Sequence, residues 1–308
     1  MIPAGLSLEL ATLQDAASLA EIMSLRDQHF TPGADLVGAI EAEEILNGYV
    51  DSVEARKIID KPSGKAQAFI TLHPDNSRKR IYADTWQRPG ADLERQSIEI
   101  TLGIAKGLKK EFDLWIGADA KDRKYIQALS GFGFSLLRTY WGLKADIGEQ
   151  ALPELTSGVE MRLVGQGEKK VWWTTHQDSF SKHFGFVPRP FDEWEAMMDG
   201  AVGIDLDARW VLYAEGKPVG FVICSDIKKD VDAGFVDGLG VIQSEQGKGY
   251  GKLMLDWALA YYSSIGRKSI ELEVDAGNES GALRLYEKVG FKVKSSWQQF
   301  ENKGWASL

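Results

Sequence analysis

Gln246-Gly247-Lys248-Gly249-Tyr250-Gly251 is the stretch from which this chain is best read. The apolar segment before it, Gly234–Val241, reads as a strand. The segment after it, from Gly251 to Ser264, places Leu253, Met254, Trp257, Ala258 and Tyr261 at i, i+3 and i+4 spacing, the mark of an amphipathic helix. A glycine-rich loop entering a helix exposes consecutive backbone N–H groups, and the helix dipole adds positive potential there. The arrangement suits a diphosphate. It is not a Walker loop, which would need glycine at Gln246 or Ile242, nor a G-x-G-x-x-G loop, which would need glycine at Lys252 or Met254.

Beyond the helix, Ser269–Ala276 reads as a strand, Ser280–Val289 reads as a helix ending in Gly290-Phe291, and Lys292–Phe300 reads as a further strand. Upstream, Trp210–Ala214 and Val219–Cys224 flank the turn Glu215-Gly-Lys-Pro218, a hairpin signal. Val159–Val164 opens this half as a strand, and Glu168–Phe180 follows as a helix. Such an order predicts an α/β (α+β) domain, a mixed central β-sheet flanked by helices.

The first half echoes this order. Asp113–Ala120 reads as a strand and turn, Arg123–Ser130 as a helix, then comes Gly133-Phe134 and a strand over Ser135–Leu143. Leu6–Ala11 is the opening strand, with Asp15 placed to cap a helix running to about Leu25. Ile58–Asp60 and Ala66–Leu72 flank the turn Lys61-Pro-Ser-Gly64. The polar stretch Asp146–Gly158 lacks periodicity and reads as a linker. The expectation is two tandem domains, residues 1–147 and 157–308.

Composition narrows the function. The 308 residues carry 36 Lys and Arg against 45 Asp and Glu, a net charge of −9. That argues against nucleic acid as the main partner, because phosphate backbones need a basic face. It leaves room for an anionic ligand held by backbone N–H groups. The longest apolar runs, such as Val219–Cys224, fall far below the roughly 18 residues of a membrane span. The start, Met1-Ile2-Pro3-Ala4-Gly5, lacks a basic or apolar leader pattern. One cysteine, Cys224, and four histidines exclude a Cys-rich zinc site and point to no metal. These features read as a cytoplasmic protein without membrane partners.

Gln246-x-x-Gly249-x-Gly251 after a strand resembles the pyrophosphate loop of the GCN5-related N-acetyltransferases, the GNAT family. A second family feature stands in order behind it: Asn278, then Ala282-Leu-Arg-Leu-Tyr286-Glu-Lys-Val-Gly290-Phe291. The resemblance spans about Val159 to Phe300 and implies two tandem GNAT-like domains. It implies acetyl-CoA as co-substrate and a primary amine, small-molecule acceptor, acetylated by direct attack. Gln246, Gly247, Lys248, Gly249, Tyr250 and Gly251 would hold the pyrophosphate, and Val241 would end the strand that bonds the pantetheine arm. Asn278 would touch CoA, with a plain helix N-cap as the alternative reading.

Tyr286 would be the general acid for the departing thiolate. A base is also needed, since an alkyl amine of pKa ~10 is mostly protonated at neutral pH. Asp237 is the first candidate, sharing a strand face with Val241 at period two; Glu273 on the next strand is the second. A solvated or salt-bridged carboxylate is the alternative for each.

The tandem layout resembles two-domain members of the family such as mycothiol synthase, which acetylates a cysteinyl thiol sugar. This chain departs from it at Phe235, where that enzyme carries an acid. The aromatic-rich region holding Trp172, Trp173, His176, Phe180, His183, Phe184, Phe186 and Trp194 would wall the acceptor pocket, with core packing expected for most of these rings. The first half has Arg88-Pro-Gly-Ala-Asp-Leu-Glu-Arg-Gln96 where the loop should be, and Leu129 at the place of Tyr286. It reads as non-catalytic. A non-enzymatic acyl-CoA-binding sensor or scaffold is the rival function.

Overall fold

Asp60 closes the first hairpin: its carbonyl accepts the Gly64 N–H at 2.8 Å and its Oδ2 the Ser63 N–H at 3.1 Å. The computed structural model describes residues 2–48, 54–201, 203–278 and 281–308. The chain begins β1 (Leu6–Leu10), α1 (Ala16–Phe30), α2 (Ala39–Asn47), β2 (Glu54–Asp60), β3 (Lys65–Asp75) and β4 (Arg80–Gln87). It continues α3 (Glu94–Lys109), β5 (Asp113–Asp119), α4 (Arg123–Gly131) and β6 (Ser135–Asp146).

The later half runs β7 (Val159–Leu163), α5 (Lys169–Phe180), α6 (Phe191–Gly200), β8 (Ile204–Ala214), β9 (Lys217–Ser225) and β10 (Ala233–Val241). It ends with α7 (Tyr250–Ser264), β11 (Ser269–Asp275), α8 (Ala282–Lys288) and β12 (Lys292–Glu301). Two compact units result. One holds Met1–Trp141, Asp275–Gly277 and Ser295–Leu308; the other holds Gly142–Val274 and Asn278–Lys294.

In the first unit the strands stand in the order β1-β2-β3-β4-β5-β12. β3 shows why the sheet has two covered faces: Ala68, Ile70 and Leu72 pack with Ile98, Leu102 and Ala105 of α3, while Phe69 joins Leu19, Ile22 and Met23 of α1. β12, which ends the second half in sequence, pairs antiparallel with β5, from Trp297 opposite Asp119 to Glu301 opposite Trp115. Trp305 anchors that end by donating Nε1–H to the Phe112 carbonyl at 2.9 Å.

In the second unit the order is β11-β10-β9-β8-β7. Trp172 and Trp194, fully buried, pack edge to face at 4.4 Å against Val211, Tyr213, Phe221 and Ile223, so these rings are core as expected. α7 buries Met254, Leu255, Ala258 and Leu259.

The sequence reading differs in detail. α1 continues to Phe30, past Leu25. Asp15 stands at its N-cap position, but its carboxylate takes the Thr12 N–H at 2.9 Å and pairs with Lys57 at 2.7 Å, leaving the helix N–H groups uncapped. α8 starts at Ala282 with Gly281 as N-cap, so Asn278 does not cap it. Ser280, the expected helix start, lies outside the described residues.

Candidate functional site

β10 and β11 run parallel for four residue pairs only, from Ala233 opposite Ser269 to Val236 opposite Leu272. β10 then continues to Val241 and β11 to Asp275 without pairing to each other. On its other edge β10 stays bonded to β9 along its length, with one break in register between Val236 and Gly238. Asp237 is the residue inside that bulge. A bulge bends its strand and re-aims the side chain that it carries. The parting of the strands leaves one edge of β10 free to bond an extended ligand.

Asp237 therefore follows the last pair on β10, and Glu273 follows it on β11. Asp237 is exposed to solvent, although protein atoms crowd around it. That desolvation pushes its carboxyl up to about 7, and the charge of Glu273 adds to the rise. Ser225 moderates it, although its buried hydroxyl makes no hydrogen bond of good geometry. Glu273 is exposed. The two carboxylates chosen from sequence are thus brought together.

Beyond β10 the chain turns through Gln246, whose Nε2 donates back to the Val241 carbonyl at 3.2 Å. Gly247 and Gly249 hold φ of 80° and 89°, the left-handed region, where a side chain is strained even though open space surrounds both. Gly249 caps α7 without any side-chain bond to its first turn. Those N–H groups are left for something outside the helix. Gly251 is needed for another reason: a Cβ there would lie 3.2 Å from the Leu285 side chain of α8. Lys248 pairs with Glu245 at 2.9 Å, so part of its charge is spent at the surface. An uncapped helix start, left-handed glycines with open space and a free strand edge fit a diphosphate with an extended arm.

Tyr286 lies on α8, 8% exposed, its ring 5.9 Å from that of Phe291. Burial pushes its phenol up to about 12, so it stays protonated throughout the neutral range. Its hydroxyl makes no hydrogen bond among the described residues. Asn278 precedes the helix and is half-buried. His176 is packed among Phe180, Trp194 and Phe221, with ring centroids 5.0 to 5.7 Å away, a structural setting. Cys224 is fully buried on β9, opposite Val236, which disfavours a covalent role. Among the described residues no group of metal-binding side chains is found, and no helix is long and apolar enough to cross a membrane.

Tyr262 escaped the sequence reading. Buried on α7, its hydroxyl bonds Phe235 and Ser225 on the strands beside Asp237. Only its place at helical spacing from Ala258 and Leu255 was visible, and that signals core.

The first unit repeats the motif of parting strands. β4 and β5 pair in parallel for four residues, Arg80 to Ala83, and Asp84 comes next, as Asp237 does. Burial pushes Asp84 up to about 6, with nearby Arg26 pulling it down. Leu129 fills the core, but Tyr125, one turn earlier on α4, bonds Thr85 Oγ1 at 3.0 Å. The acid–base residue types are therefore present there, whereas the loop after β4 lacks the alternating glycines.

Comparison with known proteins matches residues 165–291 to the Acetyltransferase (GNAT) family. A curated relative, an uncharacterised N-acetyltransferase of Methanocaldococcus jannaschii, is 33% identical over 113 residues. That alignment covers 34% of this chain and 45% of the relative, less than half its length. Among solved structures, a GCN5-related N-acetyltransferase from Sphaerobacter thermophilus superposes with a TM-score of 0.80 at 17% identity, covering 98% of this chain and 96% of that one. A tandem GNAT protein from the clavulanic acid biosynthesis pathway gives 0.70 at 12% identity, covering 96% and 98%. At such identities the likeness is one of fold, and it is that of two tandem GNAT-like domains.

Proposed function

We propose, from the match of residues 165–291 to the Acetyltransferase (GNAT) family, that the chain transfers acetyl from acetyl-CoA to the primary amine of a small molecule. The observation that carries this reading is the uncapped, glycine-rich start of α7 at the end of a strand that has parted from its neighbour beside Asp237. Acetyl-CoA supplies an acetyl group already activated as a thioester.

In this reading Gly247, Gly249 and the first turn of α7 hold the diphosphate by backbone N–H groups. Gln246 fastens the loop to Val241, and the free edge of β10 takes the amide-bearing arm. Lys248 and Tyr250 flank the diphosphate, and Asn278 borders the same ligand from the segment before α8. Asp237 accepts the proton that the attacking amine sheds, a task matched by its value of about 7. Desolvation keeps that value high, and the charge of Glu273 adds to it. Tyr286 donates to the sulfur as the carbon–sulfur bond breaks. Full transfer from a phenol near 12 to a thiolate of pKa ~8.5 runs uphill, so a hydrogen bond to the developing charge is its main contribution. The products are the acetamide and the CoA thiolate, which takes its proton from solvent as Asp237 returns its own there.

Residues 1–147 carry no diphosphate loop, and we assign the chemistry to residues 157–308. Phe235, whose N–H is bound to Tyr262, offers no acid for a thiol-sugar acceptor.

The test is calorimetric titration of acetyl-CoA followed by an amine screen. One site per chain, lost in Gly249→Glu, together with acetylation of at least one amine, is expected. Tight binding with no amine acetylated would favour the sensor. Absence of binding would overturn the assignment.

A further inference from the structure

A second cleft lies wholly within the first unit, between the end of β4, the start of α4 and the last turn of α1. Its volume is about 230 Å³, below the roughly 300 Å³ at which pockets for drug-sized ligands begin. Gln87, Arg88, Lys121, Arg123 and Arg26 line it. Gln87 is 8% exposed, and its Oε1 is buried without a hydrogen-bond partner. A buried acceptor left unpaired costs about 1–3 kcal/mol, so a ligand that brings a donor gains by meeting it.

The lining carries five cations, Arg26, Arg88, Lys121, Arg123 and Lys124, against three carboxylates, Asp92, Glu94 and Asp122, a positive excess in an acidic chain. Arg26 and Arg88 already face carboxylates, Asp27 at 2.9 Å and Glu21 at 3.0 Å. Lys124 pairs with Asp92 at 2.6 Å, joining the loop after β4 to α4. Lys121 has only neutral oxygens, the Phe30 carbonyl and the Thr31 hydroxyl. Arg123 makes no ion pair among the described residues. Two cations are thus left beside an unmet acceptor, in a space too small for a nucleotide thioester.

We propose that this cleft binds a small hydroxylated anion, whose carboxylate or phosphate meets Lys121 and Arg123 and whose O–H donates to Gln87 Oε1. The site is independent of the acetyl transfer proposed for the second half and needs none of its residues.

The full chain is titrated by calorimetry with L-malate and, separately, with sn-glycerol 3-phosphate, which tell a carboxylate from a phosphate preference. One ligand per chain is expected, weakened about tenfold or more in Gln87→Leu and in Arg123→Glu, and unchanged in Gly249→Glu. Arg123 is exposed, so its variant folds even if a change at Gln87 disturbs the core. No heat from either probe at millimolar concentration overturns the proposal. So does binding that both variants leave intact. A second equivalent of acetyl-CoA that disappears in Gln87→Leu would also overturn it, because the cleft would then be a thioester groove.

Discussion

The Tyr262 hydroxyl holds both backbone groups of Phe235: it accepts the N–H at 3.0 Å and lies 2.7 Å from the carbonyl oxygen. Its one proton is shared between that carbonyl and the Ser225 carbonyl at 2.8 Å. Gly234 makes this possible, since a Cβ there would come within 2.4 Å of the Tyr262 ring. The clamp sits two residues before the bulge at Asp237. Tyr262→Phe strands a buried N–H and should cost about 1–3 kcal/mol. Thermal unfolding should drop by several degrees, and kcat should fall more than the KM for acetyl-CoA rises.

Asp237→Asn removes the proposed base and should lower kcat/KM for the amine by about 10² or more. In the unaltered protein kcat/KM should climb with pH through about 7, as Asp237 loses its proton. The variant should lose that limb, which a rate–pH profile reads directly.

Stability should move the other way. The folded Asp237 carboxyl is raised above its ordinary 3.8, so the folded chain binds this proton more tightly than the unfolded one. The stabilisation is fully present below about 4 and is lost as pH rises to about 7. Asp237→Asn should therefore melt higher than the parent at pH 8 and level with it at pH 4. Solvent contact reduces the gain to a few degrees in scanning calorimetry, about 1 kcal/mol.

Tyr286→Phe keeps the buried ring and deletes only a hydroxyl that bonds nothing within the described chain. Folding stability should stay within about 0.5 kcal/mol. Turnover at saturating acetyl-CoA should fall by about 10- to 100-fold, with acetyl-CoA affinity kept. Undiminished turnover would remove the acid role.

Gly249→Ala forces a side chain into φ of 89° at the helix cap, a strain of about 1–2 kcal/mol. Acetyl-CoA should bind some tenfold more weakly. Gly249→Glu adds a like charge and should abolish binding in the same titration.

Much of the fold was legible locally. The repeat of the first half and the 3.6-residue patterns gave β11, α5 and α7 each to within one residue. Gly247 and Gly249 were readable because left-handed backbone calls for glycine. Tyr125 had no local signal, because counting back from Phe134 points to Leu129, whereas the Tyr125 side chain reaches Thr85 from one turn earlier.

By itself the sequence determined the order of elements, the glycine loop and the residue types of an acid and a base, because these rest on contacts near in the chain. The bulge that isolates Asp237 depends on its register against β9, some dozen residues away. The meeting of Asp237 with Glu273 depends on where two parallel strands part. The pairing of β12 with β5 joins residues about 180 positions apart. Strand pairing is made by backbone groups that every residue carries, so partner and register leave little local mark. Only the folded chain decided them, and with them the raised carboxyl of Asp237.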